Sequence, residues 1–172
     1  MRLGPDLLHD PAVALGREWW VSDGLGGWSA ASVCGAHTRR EHGLLVARVA
    51  PGGPPHVLLA RLEETLELGG ARLELGTSQY PGVLHPRGFE RLAAFAVDPL
   101  PRWTWELGGG TRLTRTLARP RGRAGLVLGF ACGLGLPRLG QLESARLARL
   151  ERGVGALTAA VVAGAWLTAM LR

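Results

Sequence analysis

Trp103-Thr104-Trp105-Glu106-Leu107, Gly108-Gly109-Gly110 and Thr111-Arg112-Leu113-Thr114-Arg115-Thr116-Leu117 form the stretch that decides the fold class. Large or apolar residues alternate with polar ones on both sides of a glycine turn. That period of two belongs to strands, whose successive side chains point to opposite faces. Trp103 and Trp105 therefore share a face, and packing is the expected use of that pair rather than an exposed platform. The same grammar repeats outward along the chain. Leu66-Glu67-Leu68 and Leu73-Glu74-Leu75 flank Gly69-Gly70 as a hairpin. Glu18-Trp19-Trp20-Val21 and the strand from Trp28 to Val33 flank the turn-rich Ser22-Asp23-Gly24-Leu25-Gly26-Gly27. Gly43 to Val49 is a continuous apolar run fit for a buried strand, and Val57 to Ala60 and Leu126 to Phe130 supply two more. Residues 1–17, with Pro5 and Pro11, read as a lead-in. Strands and turns at this spacing predict a mainly β, antiparallel sandwich.

Composition agrees with that reading. The 172 residues include 26 glycines and 11 prolines, more punctuation than a helical protein carries. All twenty basic residues are arginine, as in a gene of GC-rich codon usage. They are scattered among acids without interleaved aromatics, so no nucleic-acid partner is expected. Cys34 and Cys132 are too few for a disulfide framework, and both sit among apolar neighbours as free thiols. Met1 to Pro11 holds two aspartates and no apolar core of a signal peptide, so a cytoplasmic location is the expectation.

The character of the chain changes near Cys132. Residues 1–133 read as the sandwich domain and residues 134–172 as a divergent Ala/Leu-rich tail with helical spacing. Val154 to Leu171 runs without a charge, which reaches the lower length limit of a membrane span. Its alanines and glycines favour a buried or loose helix instead, and no membrane partner is expected.

Four ordered stretches carry a resemblance. They are Glu18 to Trp28, then Gly35-Ala36-His37-Thr38-Arg39-Arg40-Glu41-His42-Gly43-Leu44-Leu45-Val46-Ala47, then Leu62-Glu63-Glu64-Thr65-Leu66, then Tyr80-Pro81-Gly82-Val83-Leu84-His85-Pro86-Arg87-Gly88-Phe89 followed by Phe95 and Asp98-Pro99. Over roughly residues 17–130 they resemble, in order and spacing, the N-terminal domain of glycogen debranching enzymes of bacterial and archaeal type. In that family the first motif reads Glu-Trp-Leu-Val-Thr-Asn-Gly-Leu-Gly-Gly-Tyr and the second Gly-Ala-Asn-Thr-Arg-Arg-Tyr-His-Gly-Leu-Leu-Val-Ala. The resemblance implies a β-supersandwich, here incomplete, which in the family precedes an (α/α) barrel that carries amylo-α-1,6-glucosidase chemistry. Asp23 and His37 stand where the family motifs have Asn, and Glu41 where they have Tyr. The likeness fades after about Phe130, which a frameshift in a GC-rich gene would produce.

The residues themselves hold little chemistry. Glycoside hydrolysis needs two carboxylates across one bond. Glu63 and Glu64 are neighbours that a strand would turn to opposite faces, so no catalytic residue is assigned. Gly24-Leu25-Gly26-Gly27 lacks the third glycine of a dinucleotide loop, and no cofactor is expected. His37 and His42 have no further ligands at zinc spacing, and no metal is expected.

The remaining candidate is Thr38 to His42 with the flanking Trp28. Trp28, Arg39, Arg40 and His42 have the stacking ring, planar donor fork and imidazole that bind sugar hydroxyls. Alternatively, Arg39 and Arg40 pair with Glu18, Glu63 or Glu64 and fasten the loop. Trp19, Trp20, Trp103 and Trp105 are read as core or edge-strand aromatics.

The expected function is a non-catalytic N-terminal domain or fragment of a glycogen debranching enzyme that helps shape an α-glucan cleft. Glycogen or maltooligosaccharide would be its ligand, and a separate barrel chain a conceivable partner. The alternatives are a stand-alone carbohydrate-binding sandwich and a non-functional frameshifted product. Arg39→Ala separates the two roles of the loop. Weaker glucan binding at unchanged melting temperature means a ligand contact; a lower melting temperature with binding intact means a fastener.

Overall fold

A computed structural model describes residues 1–68, 70–134 and 157–161. Its strands are β1 (Arg2–Leu3), β2 (Glu18–Ser22), β3 (Trp28–Ser32), β4 (Gly43–Arg48), β5 (Pro55–Leu59), β6 (Thr65–Leu68), β7 (Ala71–Glu74), β8 (Thr77–Tyr80), β9 (Val83–Arg87), β10 (Leu92–Ala96), β11 (Arg102–Glu106), β12 (Thr111–Ala118), β13 (Leu126–Leu134) and β14 (Leu157–Val161). Two short helices, α1 (Pro5–Leu8) and α2 (Pro11–Gly16), and a 3₁₀ turn at Gly88–Arg91 complete the described elements. Every strand pairing is antiparallel. A six-stranded sheet runs in the order β1-β10-β11-β12-β13-β14 and a four-stranded sheet in the order β2-β3-β4-β5. The hairpins β6-β7 and β8-β9 stand apart from both. The mainly β, antiparallel expectation holds.

The two large sheets share one core. Period-two alternation sends Trp103 and Trp105 of β11, Leu113 and Leu117 of β12, and Leu128 of β13 to one face. They meet Trp19 of β2, Ala31 of β3 and Leu45 of β4. Trp103 is fully buried at the centre. Its ring lies edge-on to Trp19 at 5.1 Å and tilted against Phe95 at 5.2 Å. Its indole N–H donates to the carbonyl of Val33 at 2.8 Å, so the buried polar atom is satisfied across the sheets. Removing so central a ring costs about 3–5 kcal/mol in comparable cores.

Arg115 and Arg119 fall in phase with Leu113 and Leu117, on the core face. Arg115 lies flat over the rings of Trp103 (4.0 Å) and Trp105 (5.3 Å) and pairs with Glu64. Arg119 pairs with Asp23 at 2.5 Å, and each side chain is 1% exposed. Its guanidinium also donates to the carbonyls of Gly125 and Val46. Asp23 spends its other oxygen on the backbone N–H groups of Leu25 (2.8 Å) and Gly27 (3.0 Å), which shapes the β2–β3 turn. That turn is tied in addition to the β12–β13 turn by the N–H of Gly122 on the carbonyl of Asp23. Gly27 has no room for a side chain: a Cβ would stand 2.7 Å from the Val46 carbonyl and against the Asp23 carboxylate.

Four differences from the sequence reading have physical causes. The lead-in is folded: β1 adds to the edge of the six-stranded sheet, and Leu3, Leu8 and Ala14 enter the core. Pro5 and Pro11 open helices, the first-turn position that proline tolerates, and Asp10 caps the second through the N–H of Ala12. The strands β8, β9 and β10 lacked a clear alternation and escaped the pattern. Leu157–Val161, within the stretch expected to be helical, is instead a strand paired with Leu126–Phe130 of β13, so part of the segment 134–172 belongs to the sandwich sheet. The rest of the expected helical tail lies outside the described residues. Among the described residues, no helix is long and apolar enough to cross a membrane.

Asp23→Asn keeps the turn acceptor but leaves the Arg119 charge buried without its partner. Denaturant unfolding should show a loss of about 3–5 kcal/mol. A loss below about 1 kcal/mol would mean the pair contributes no more than a surface ion pair.

Candidate functional site

The outward face of the four-stranded sheet carries the candidate residues. On β2, Glu18, Trp20 and Ser22 face outward, while Trp19 and Val21 face the core. Adjacent strand residues cannot both be inside, so one tryptophan of the pair Trp19-Trp20 had to be presented to solvent. It is Trp20, 54% exposed. Trp28 opens β3 opposite Ser22, which makes it the diagonal neighbour of Trp20. The two indoles stack at 5.0 Å with 18° between their planes. Ala30, directly opposite Trp20, leaves space at the surface for the rings.

The loop from Cys34 to His42 is built against this corner. Gly35 takes a positive φ of 87°, and Ser32 holds the carbonyl of Ala36 through both its N–H and its hydroxyl. The indole N–H of Trp28 donates to the carbonyl of Glu41 at 2.9 Å. Arg39 Nε meets Glu18 Oε1 at 2.6 Å, and His42 Nε2 approaches the same oxygen at 3.4 Å. His42 Nδ1 accepts the N–H of Thr38 at 3.0 Å. The neutral ring therefore carries its proton on Nε2, facing Glu18.

Of the four expected contact residues, Arg39 and His42 converge on Glu18 and fasten the loop to β2. This is the Glu18 pairing considered for Arg39; Glu63 and Glu64 do not take part, because they bind Arg61 (3.1 Å) and Arg115. Trp28 is half-buried beneath Trp20. Arg40 is exposed and makes no ion pair among the described residues. Sequence reasoning placed Trp20 with the packing aromatics; the strand parity of Trp19 and Trp20 is the signal that separates them.

Trp20 and Trp28 form an open surface, and neither lines the cavity found among the described residues. This cavity of about 20 Å³ lies beside Trp19, Trp105, Arg115, Glu64 and Thr77. It has room for a water, not for a pyranose ring. Cys34, also on its wall, is a free thiol, and burial pushes its pKa up. Among the described residues, no three His, Cys, Asp or Glu side chains gather around a metal position.

His37 and His42 lie edge-on, 5.9 Å apart, and His37 Nε2 is buried without a hydrogen-bond partner among the described residues. Burial, with His42 and Arg61 adding to it, lowers the His37 pKa to about 4. Burial lowers that of His42 too, against the pull of Glu18. A depressed histidine pKa means the unfolded chain binds the proton more readily. Stability is then full above pH 6.5 and declines as pH falls toward 4. Between pH 7 and pH 5, thermal or urea unfolding should lose about 1–2 kcal/mol through His37, and His37→Asn should remove that part of the slope. An unchanged slope in the variant would place the pH dependence elsewhere.

Comparison with known proteins bears on what this surface belongs to. A search of curated proteins and a search of solved structures each returned no match. The family model described as glycogen debranching enzyme N terminal matches residues 17–132, about two thirds of the chain, from the first residue before β2 to within β13. It spans the stacked tryptophans, the loop fastened to Glu18 and the buried Asp23–Arg119 pair. The chain belongs to the family of glycogen debranching enzyme N-terminal domains.

Proposed function

We propose that this chain is a non-catalytic domain that helps shape the α-glucan cleft of a glycogen debranching enzyme. The observation that carries the reading is the surface built by Trp20, Trp28 and the Glu18-anchored loop within the family-matched region. An apolar ring face bordered by charged and hydroxyl groups suits a sugar, whose ring C–H groups want the first and whose hydroxyls want the second. Arg40 is the direct contact of the loop in this proposal, while Trp28 supports the exposed Trp20 and Arg39 and His42 hold the loop.

Hydrolysis lies elsewhere in the proposal. Two carboxylates must face each other across the scissile bond at roughly 5–10 Å. Glu64 is buried under Arg115 and Glu63 is turned outward to Arg61, so the adjacent pair does not form such a site. A catalytic barrel, in the same polypeptide or another, would supply the acid and its partner, and this domain would border the substrate.

Calorimetric titration with maltooligosaccharides, run beside an α-1,6-glucosidase assay on a branched dextrin, tests both halves. Binding without turnover is expected, with Arg40→Ala weakening binding by roughly threefold to tenfold through loss of a charged donor. Turnover by this chain alone would overturn the non-catalytic assignment. Absence of binding at millimolar glucan would overturn the cleft role.

A further inference from the structure

We infer that the exposed face of Trp20 is a stacking subsite for a glucose ring of an α-glucan, with Trp28 as its backing plate. The inference rests on the cleft role proposed above and assigns the contact to a particular residue. This chain has tryptophan at positions 20 and 28, and the two indoles stack.

The geometry suits a ring-shaped polar ligand. Trp28 is locked by its hydrogen bond to Glu41 and by its seat at the start of β3, so it fixes the plane of Trp20. A preset plane spares a ligand the cost of ordering a long side chain. One side of Trp20 is covered by Trp28, and the residue still exposes 54% of its surface. Glu18 and Ser22 flank Trp20 two residues away on the same face of β2, and Glu41 lies beyond Trp28. The apolar face runs from Trp20 and Trp28 across the paired strands to Val46 and the exposed Val57, with Glu18 and Ser22 bordering it on β2. The family match over this surface, rather than the area of the patch, favours a glucan as its occupant. A pyranose fits: its C–H face covers the indole, and its equatorial hydroxyls reach the polar border.

Titration of the whole chain with maltoheptaose by calorimetry gives the test, with Trp20→Ala and Trp20→Phe as variants. Trp20→Ala should bind about tenfold more weakly, the change equivalent to ~1.4 kcal/mol of lost ring contact. Trp20→Phe should stay within about threefold of the parent. Circular dichroism and melting should be near parental in both, since Trp20 is a surface residue. A readout on the unmutated chain guards against a variant that misfolds. Brief N-bromosuccinimide oxidation with peptide mapping should modify Trp20 first, and saturating maltoheptaose should slow that reaction severalfold. If the parent binds maltoheptaose while Trp20→Ala binds equally well, or while Trp20 oxidation is unslowed, the subsite is overturned and the cleft role survives. If the parent does not bind maltoheptaose at millimolar concentration, the cleft role fails and the subsite fails with it.

Discussion

The pairing of Asp23 with Arg119 is the constraint on which the rest of the domain depends. It joins two turns that belong to different sheets, one between β2 and β3 and the other after β12. Both charges are withdrawn from water, so each needs the other, and Asp23 must also organise the turn that carries it. Gly27 is small because the pair and the Val46 carbonyl occupy the volume a side chain would need. The acid at position 23 thus has a local reason: a guanidinium lies against it.

A second buried arginine works differently. Arg115 is spread over two tryptophans and neutralised by Glu64, so one side chain links the β11–β12 core to the segment before β6. This use of Glu64 has a consequence for chemistry. A carboxylate committed to a buried guanidinium is not free to face a substrate. Its neighbour Glu63 is exposed and faces away. The structural demands of the core and the absence of a hydrolytic pair at these two positions are the same fact.

The outward face of the smaller sheet has the opposite character. There the architecture leaves a large aromatic in water, with Glu18 and Ser22 beside it on the same strand face. The loop that borders it is held at three points: Glu18 by Arg39 and His42, the Thr38 N–H by His42, and the Glu41 carbonyl by Trp28. A loop held at three points keeps little conformational freedom. His37 and His42 make that order sensitive to acid, since their burial favours neutral rings.

Much of this was legible in the sequence. Alternation about Gly108–Gly110 determined the β11–β12 hairpin and its inward tryptophans, because strand parity is local and needs no knowledge of partners. The ordered motifs determined the family, and parity alone implied that Trp19 and Trp20 face opposite ways. The rest was decided in three dimensions. Which of those two tryptophans faces water depends on which side of β2 meets the six-stranded sheet. That Arg119 neutralises Asp23 across 96 residues, and that Arg39 and not Arg40 reaches Glu18, depends on how turns and loops are brought together. Short-range pattern reports the period of a strand; pairing between distant charges, and the pairing of Leu157–Val161 with β13, depends on the closure of sheets that no local window contains.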